Sequence, residues 1–201
     1  MKITSIILSG ALSIVMQAMS VRGHGYISSP RSRNWYAHEE GASFGAVDGK
    51  PPKEYCPHCL NINSGVCGIS PSYDYDVWND SAGNPMPWKV QATYTAGDII
   101  TVKSVLTAHH MGHMELRGCP LGRESDWDCF EKPEHTLLFV RDVAFDMPAD
   151  PAHPERGYYS RSQSIVYGED FDYYEMEFKI PETLYGETVL LQVRIALLFD
   201  Y

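Results

Sequence analysis

The stretch "WKVQATYTAGDIITVKSVLTAHH", residues 88–110, decides the fold class. Apolar and polar residues alternate on both sides of a Thr-Ala-Gly-Asp turn, and a period of two is typical of strands with one buried face. The stretch therefore predicts two β-strands joined by a turn.

Three segments further along the chain also favour strands: "HTLLFVRDVAF" (135–145), "YYEMEFKIP" (173–181) and "ETVLLQVRIALLF" (187–199). The second places Tyr174, Met176 and Phe178 on one face, and the third is apolar enough for a strand buried on both faces. Helix signals are weak. Short strands separated by turns predict an all-β, immunoglobulin/fibronectin III-like antiparallel β-sandwich with long loops.

Residues 28–88 form the longest irregular region, rich in Gly, Pro, Ser, Asn and Asp. The Cys56-Pro-His-Cys59 motif in this region favours a structural disulfide. A thiol oxidoreductase would place the motif at a helix start, and a zinc knuckle with Cys67 is disfavoured by export. Cys119 and Cys129 flank a short loop and are one candidate pair, but five cysteines leave many connectivities open.

The first residues carry the pattern of a secretory signal: Lys2, an apolar run over 3–15, and then small residues. The run is shorter than the roughly 20 residues that a transmembrane helix needs. We expect 1–23 to be a signal peptide and 24–201 a single extracellular domain. Cleavage before Val21 fits the small-x-small rule better, cleavage before His24 is acceptable, and both stay open.

The charge of the chain narrows the class of partner. The formal net charge of the full chain is −10. That of residues 24–201 is −12, because the leader contains Lys2 and Arg22 and no acidic residue. This balance argues against nucleic acid and anionic membranes, which attract basic surfaces. A neutral polysaccharide is compatible, and we expect a monomer. With 44% hydrophobic and 12% aromatic residues the chain can bury a core.

A chain that begins at His24 would offer one metal ion both its α-amine and its imidazole. An α-amine has a pKa near 7.7–8.0, so a metal can displace its proton at neutral pH. A second histidine from 106–120 would complete a three-nitrogen, tetragonal set that favours Cu(II). The candidates are His109, His110 and His113, and neighbours on a strand cannot both face one ion. Ordinary polar residues at a strand end, or a zinc-like cluster, are the alternatives.

The stretch "HGYISSPRSRNW" (24–35) followed by "AHHMGHMELRGCP" (108–120) resembles the copper-dependent lytic polysaccharide monooxygenases, and most closely the group with a chitin-binding type-4 domain. The resemblance implies one copper ion held in a histidine brace. It gives the metal-ligand and catalytic roles to His24 and His110 only. It also implies oxidation at C1 or C4 of an insoluble polysaccharide, chitin or cellulose, with an external electron donor.

The resemblance weakens near the end of the chain. The family has a Trp where this chain has Val193, and it continues through further strands, one of which carries the axial residue of the copper site. Because this chain reads "VLLQVRIALLFDY" and stops at Tyr201, we expect the last strands to be missing and the surroundings of the copper to be altered.

Two other functions of the same fold stay open: a non-catalytic polysaccharide-binding module and a copper-binding protein. Tyr26, Trp35 and Tyr36 lie near His24 in sequence, as substrate-binding aromatics or as core residues.

Overall fold

A computed structural model describes residues 24–42, 49–51, 53, 69–70, 73–74, 79–108, 111–159, 165–166 and 172–196. The strands in these ranges are β1 His24–Ser29, β2 Gly41–Ala42, β3 Ile69–Ser70, β4 Tyr73–Asp74, β5 Asn79–Asp80, β6 Ile99–Ala108, β7 His113–Cys119, β8 Leu138–Asp142, β9 Gly157–Tyr158, β10 Ile165–Val166, β11 Asp172–Lys179 and β12 Leu190–Ala196. The α-helices are α1 Arg33–Glu40 and α2 Trp127–Phe130, and short 3-10 turns lie at Gly122–Glu124 and Pro133–His135.

The main strands form two antiparallel sheets. In the first, β1, β6 and β11 are hydrogen-bonded in that order, and both β8 and β10 pair with β11. In the second, the order is β12, β7 and β9. The pairs β2–β5 and β3–β4 form two small separate ribbons.

The hydrophobic core lies between the two main sheets. Its central residues are Ile100 and Val102 of β6, Met114 and Leu116 of β7, and Tyr174, Met176 and Phe178 of β11. All are at most 1% exposed, and burying a side chain of this size contributes about 1.5–3 kcal/mol. The predicted antiparallel β-sandwich is therefore confirmed, as is the shared face of the three β11 residues.

The predicted strand over residues 88–94 is wrong. The turn that follows it does form, with Gly97 at a φ of 89°, and β6 begins directly after the turn. However, Val90 is 62% exposed and Tyr94 is 43% exposed, so the alternation in this segment does not mark a buried face. Within the described ranges, 88–94 pairs with no strand.

The last predicted strand is present as β12, but it is not buried on both faces. Of its residues only Gln192 is fully buried, and Leu191, Val193 and Ile195 are half-buried. In the described part of the sheet β12 lies at the edge, so it lacks a neighbouring strand on one side, and its apolar side chains pack against the core but stay partly exposed. Residues 197–201 lie outside the described ranges, and the expected loss of later strands stays a prediction.

Helix α1 lies inside the region that the sequence predicted to be irregular. Ser32 caps it, because its hydroxyl accepts a hydrogen bond from the backbone N–H of Trp35 at 3.4 Å. The helix buries Tyr36 and Ala37. It thereby fixes the segment that directly follows β1.

A disulfide joins Cys119 at the end of β7 to Cys129 in α2. This confirms the candidate pair and fastens the loop between them to the second sheet. Cys56, Cys59 and Cys67 lie outside the described residues, so the predicted disulfide of the irregular region remains a prediction.

Candidate functional site

The start of β1 lies beside the end of β6. The Cα of His24 pairs with that of Ala108, and Gly25 pairs with Leu106, with a register shift between the two pairs. Cα atoms paired in an antiparallel ladder are about 4.5–5.5 Å apart. Only the backbone of His24 is described, and His109 and His110 lie outside the described residues.

Gly25 allows the close approach of these two strands. A Cβ built on this residue would lie 2.3 Å from the backbone oxygen of Val105. No side chain fits in that space. The residue after His24 therefore has to be glycine for β1 to pair with β6 in this register.

The connection from β6 to β7, residues 109–112, ends in two residues with positive φ. Met111 has a φ of 63° and Gly112 a φ of 100°. The backbone oxygen of Gly112 accepts a hydrogen bond from the N–H of Tyr159 at 2.8 Å. The chain two residues after His110 is thus held by a backbone hydrogen bond to Tyr159.

His113, the third histidine candidate, binds a carboxylate. Its Nε2 lies 3.2 Å from Oε1 of Glu115, and its ring meets the ring of Tyr158 edge-on at 5.6 Å between centroids. The side chain is only 12% exposed. His113 is therefore part of the packed outer face of β7.

Glu115 is the centre of a charged cluster on this face. Besides His113 it faces Arg117 at 3.5 Å and Arg156 at 3.6 Å. The pKa of Glu115 lies below its ordinary value, mainly because of the His113 hydrogen bond and then because of the nearby positive charges. The cluster stabilises β7 immediately after the connection that contains His110.

A second carboxylate extends the cluster to β12. Glu131 lies 2.5 Å from Arg194 and 3.5 Å from Arg117. The guanidinium of Arg194 also stacks over Trp127 at 4.7 Å. The sequence alone did not reveal this cluster, because its members come from four separate segments and share no motif.

The aromatic residues near His24 pack within the protein. Tyr26 is 8% exposed and Tyr36 is 7% exposed, so both are core residues. Trp35 is half-buried and stacks between Tyr26 at 4.7 Å and His38 at 5.5 Å. This stack fastens α1 against β1.

Arg31, between β1 and α1, stabilises this junction through polar contacts. Its guanidinium contacts Glu39 at 2.6 Å and Glu40 at 2.8 Å, and its Nε donates to Gln91 at 2.7 Å. Residue 91 thereby lies against the helix end. The sequence analysis did not single out Arg31, because its partners lie in the helix end and at residue 91 and share no motif with it.

In the described part of the chain, no three His, Cys, Asp or Glu side chains are grouped to hold a metal ion. The same part contains no helix long and apolar enough to cross a membrane.

The model of the family described as "Lytic polysaccharide mono-oxygenase, cellulose-degrading" matches residues 24–194. The chain belongs to this family. Its members are copper-dependent polysaccharide monooxygenases. The matched range begins at His24 and includes every strand described above except the last two residues of β12.

One solved structure with a related fold is "Lytic Polysaccharide Monooxygenase AA15 from Thermobia domestica in the Cu(I) State". The match has a TM-score of 0.52 and 22% sequence identity, and covers 87% of this chain and 83% of the other. At this identity the match supports the shared fold alone. No curated protein matches the chain.

Proposed function

We propose that the chain is an extracellular copper monooxygenase that cleaves glycosidic bonds in an insoluble polysaccharide, chitin or cellulose. One copper ion is held in a histidine brace by the α-amine and imidazole of His24 and by the imidazole of His110. The observation that supports this best is the pairing of His24 with Ala108, two residues before His110.

The residues at this position fit a copper ion. Two residues of chain span at most about 7 Å, so the Cα of His110 is within about 12 Å of that of His24. Two histidine side chains that meet at one ion can cover such a span. Three nitrogen donors suit Cu(II), and the α-amine is available once the signal peptide is removed before His24.

When bound, copper would supply the redox chemistry that activates O2 or peroxide for oxidation at C1 or C4 of the glycosidic linkage. The protein holds the ligands in place: Gly25 lets β1 approach β6, and the bond from Tyr159 to Gly112 fixes the chain after His110. Met111, next to His110, is 41% exposed. This exposure supports a site that can reach the surface of a solid substrate.

The neutral substrate and the extracellular location in this proposal are supported by the net charge of residues 24–201 and by the predicted signal peptide. Residues 24–201 carry a net negative charge, which suits a neutral polysaccharide better than an anionic polymer. The protein acts outside the cell as a monomer. It receives electrons from an external donor.

The test uses mature protein that begins at His24, together with His24→Ala and His110→Ala variants. With one equivalent of Cu(II), electron paramagnetic resonance is expected to show nitrogen coupling that each variant weakens. With ascorbate, oxidised oligosaccharides are expected from chitin or from cellulose. Copper binding without oxidised products would indicate a copper-binding protein. Retention on the polysaccharide without copper binding would indicate a binding module.

A further inference from the structure

The full sequence contains one Asn-x-Ser/Thr triplet in which x is not proline, Asn79-Asp80-Ser81. This triplet is the acceptor signal for N-linked glycans in exported proteins. The other four asparagines, Asn34, Asn61, Asn63 and Asn84, have no Ser or Thr two positions further on. Because a triplet this short also arises by chance, the structure around it decides whether a glycan fits there.

The triplet lies where β5 runs into an exposed turn. Residues 81–84 are all exposed. The carboxylate of Asp80 accepts hydrogen bonds from the backbone N–H groups of Ala82 and Asn84, each 2.9 Å long. The backbone N–H of Asp80 donates to the backbone oxygen of Asn84 at 2.8 Å. The turn is thus ordered by Asp80, and these bonds do not use the side-chain amide of Asn79.

The strand pairing shows which way the side chain of Asn79 points. Residues paired across a ladder present their side chains to the same face, and neighbours along a strand present theirs to opposite faces. Asn79 forms a β-bridge with Pro85, which is exposed. Met86, the next residue, is 7% exposed and so belongs to the opposite, buried face. The half-buried Asn79 therefore carries its side chain on the solvent side.

The ribbon that carries Asn79 belongs to neither main sheet. In it β5 pairs with β2, with Asn79 opposite Ala42 and Asp80 opposite Gly41. Among the described residues, the strands of the sandwich pair with other partners. A bulky group on Asn79 therefore displaces no strand of the two main sheets.

We infer that Asn79 is a modification site that carries an N-linked glycan. The inference rests on the extracellular location in the proposed function, because this glycan is added in the secretory pathway. The donor is an oligosaccharide joined to a lipid through pyrophosphate. The bond between C1 of its first sugar and the pyrophosphate oxygen breaks, and a bond forms between C1 and Nδ2 of Asn79. The nitrogen loses one proton, which leaves with the lipid pyrophosphate, and no atom is oxidised or reduced.

The glycan shields a part of the surface that is open to proteases. Exposed loop tips with small or polar residues are the preferred sites of proteolytic cleavage, and the turn reads Ser-Ala-Gly-Asn at 81–84. A hydrated oligosaccharide at the start of this turn covers it. This protection suits a protein that acts outside the cell.

The experiment expresses the full chain with its own leader in cultured insect cells. Protein from the medium is weighed by intact mass spectrometry before and after treatment with peptide N-glycosidase, which removes an N-linked glycan and leaves an aspartate in its place. The wild type is expected to lose mass on treatment, and its peptide mass spectrum to show the converted residue at position 79.

Four variants locate the acceptor. Asn79→Gln and Ser81→Ala are each expected to lose the glycan completely, and the second keeps the asparagine itself. Ser81→Thr retains the triplet and is expected to keep the glycan. Asn84→Gln changes an asparagine of the same turn outside the triplet, and it is expected to keep the glycan as the matched control.

Export is scored separately, from the N-terminus and the amount of protein in the medium. Wild-type protein that is secreted without a glycan overturns the inference and leaves the proposed function standing. A mass loss that persists in both Asn79→Gln and Ser81→Ala also overturns it, because the glycan then lies elsewhere. Wild-type protein that stays inside the cells with its leader uncleaved overturns both the inference and the proposed extracellular function.

Discussion

His24 lies opposite Ala108 in the ladder between β1 and β6, with a register shift directly after it. This pairing brings the first residue of the matched family range to the chain segment that carries His110, although the two are far apart in sequence. The strand pairing thus places His24 beside the end of β6, two residues before the proposed ligand His110 in sequence. The predictions below test the contacts that hold this arrangement.

Gly25→Ala is expected to destabilise the protein by about 1–3 kcal/mol and to weaken copper binding, because the added methyl group meets the backbone oxygen of Val105 at 2.3 Å. Denaturant unfolding and copper calorimetry measure the two effects. Ser28→Ala on the same strand serves as control, since it removes one hydroxyl bond of 3.3 Å and should cost at most about 1 kcal/mol. Equal losses in the two variants would show that the contact at Gly25 has no special role.

Glu115→Gln is expected to destabilise the protein by about 1–3 kcal/mol at neutral pH, because His113, Arg117 and Arg156 lose their shared carboxylate. The folded-state pKa of Glu115 lies below its ordinary value of 4.5. The stability that the carboxylate contributes is therefore present above the unfolded pKa and is lost as the pH falls through the folded pKa.

The stability difference between wild type and Glu115→Gln should accordingly shrink as the pH is lowered below about 4.5. Urea unfolding over a series of pH values measures this difference. A gap that stays constant down to about pH 2 would contradict an ionic role for Glu115.

Asp142→Asn is expected to stabilise the protein at neutral pH. Asp142 is 1% exposed, and its Oδ2 has no hydrogen-bond partner in the described part of the chain. Burial raises the pKa of this carboxyl. The stability linked to its protonated form is present below the unfolded pKa and is lost as the pH rises through the folded pKa.

The asparagine variant keeps an oxygen that can accept the hydrogen bond from Phe145 N–H, which is 2.9 Å long in the wild type, and stays neutral at every pH. Its advantage over wild type in chemical unfolding should therefore grow as the pH rises from below the ordinary aspartate pKa of 3.8 through the raised pKa of the folded state. If the free energies of unfolding of the two proteins changed with pH in parallel, ionisation of the buried Asp142 carboxyl would carry no free-energy cost.

The strands that the sequence predicted correctly are those whose alternation reflects a buried face. In β11, Tyr174, Met176 and Phe178 alternate with exposed or half-buried residues, and the pattern follows directly from the pleat of a strand. Residues 88–94 show the same alternation, but Lys89 and Gln91 contact Glu40 and Arg31 near α1 instead of a neighbouring strand. Tertiary contacts thus override a local pattern.

For the candidate site, the sequence indicates which residue types to expect, and these residues stay a prediction; it does not indicate their geometry. The motifs around His24 and His110 indicated a copper site, and the pairing of Cys119 with Cys129 was one of several open connectivities. The contact between Glu115 and Arg156 and the bond from Tyr159 to Gly112 join distant segments. Neither periodicity nor spacing in a single sequence reveals which distant residues meet.

The central claim is that the α-amine of His24 binds copper together with two imidazoles. Copper calorimetry on two forms of the chain, one beginning at His24 and one beginning at Val21, tests it most directly. The second form keeps both imidazoles but converts the α-amine of His24 into an amide. The account predicts that its copper affinity falls at least about tenfold, which corresponds to roughly 1.4 kcal/mol. Equal affinity of the two forms would contradict the account.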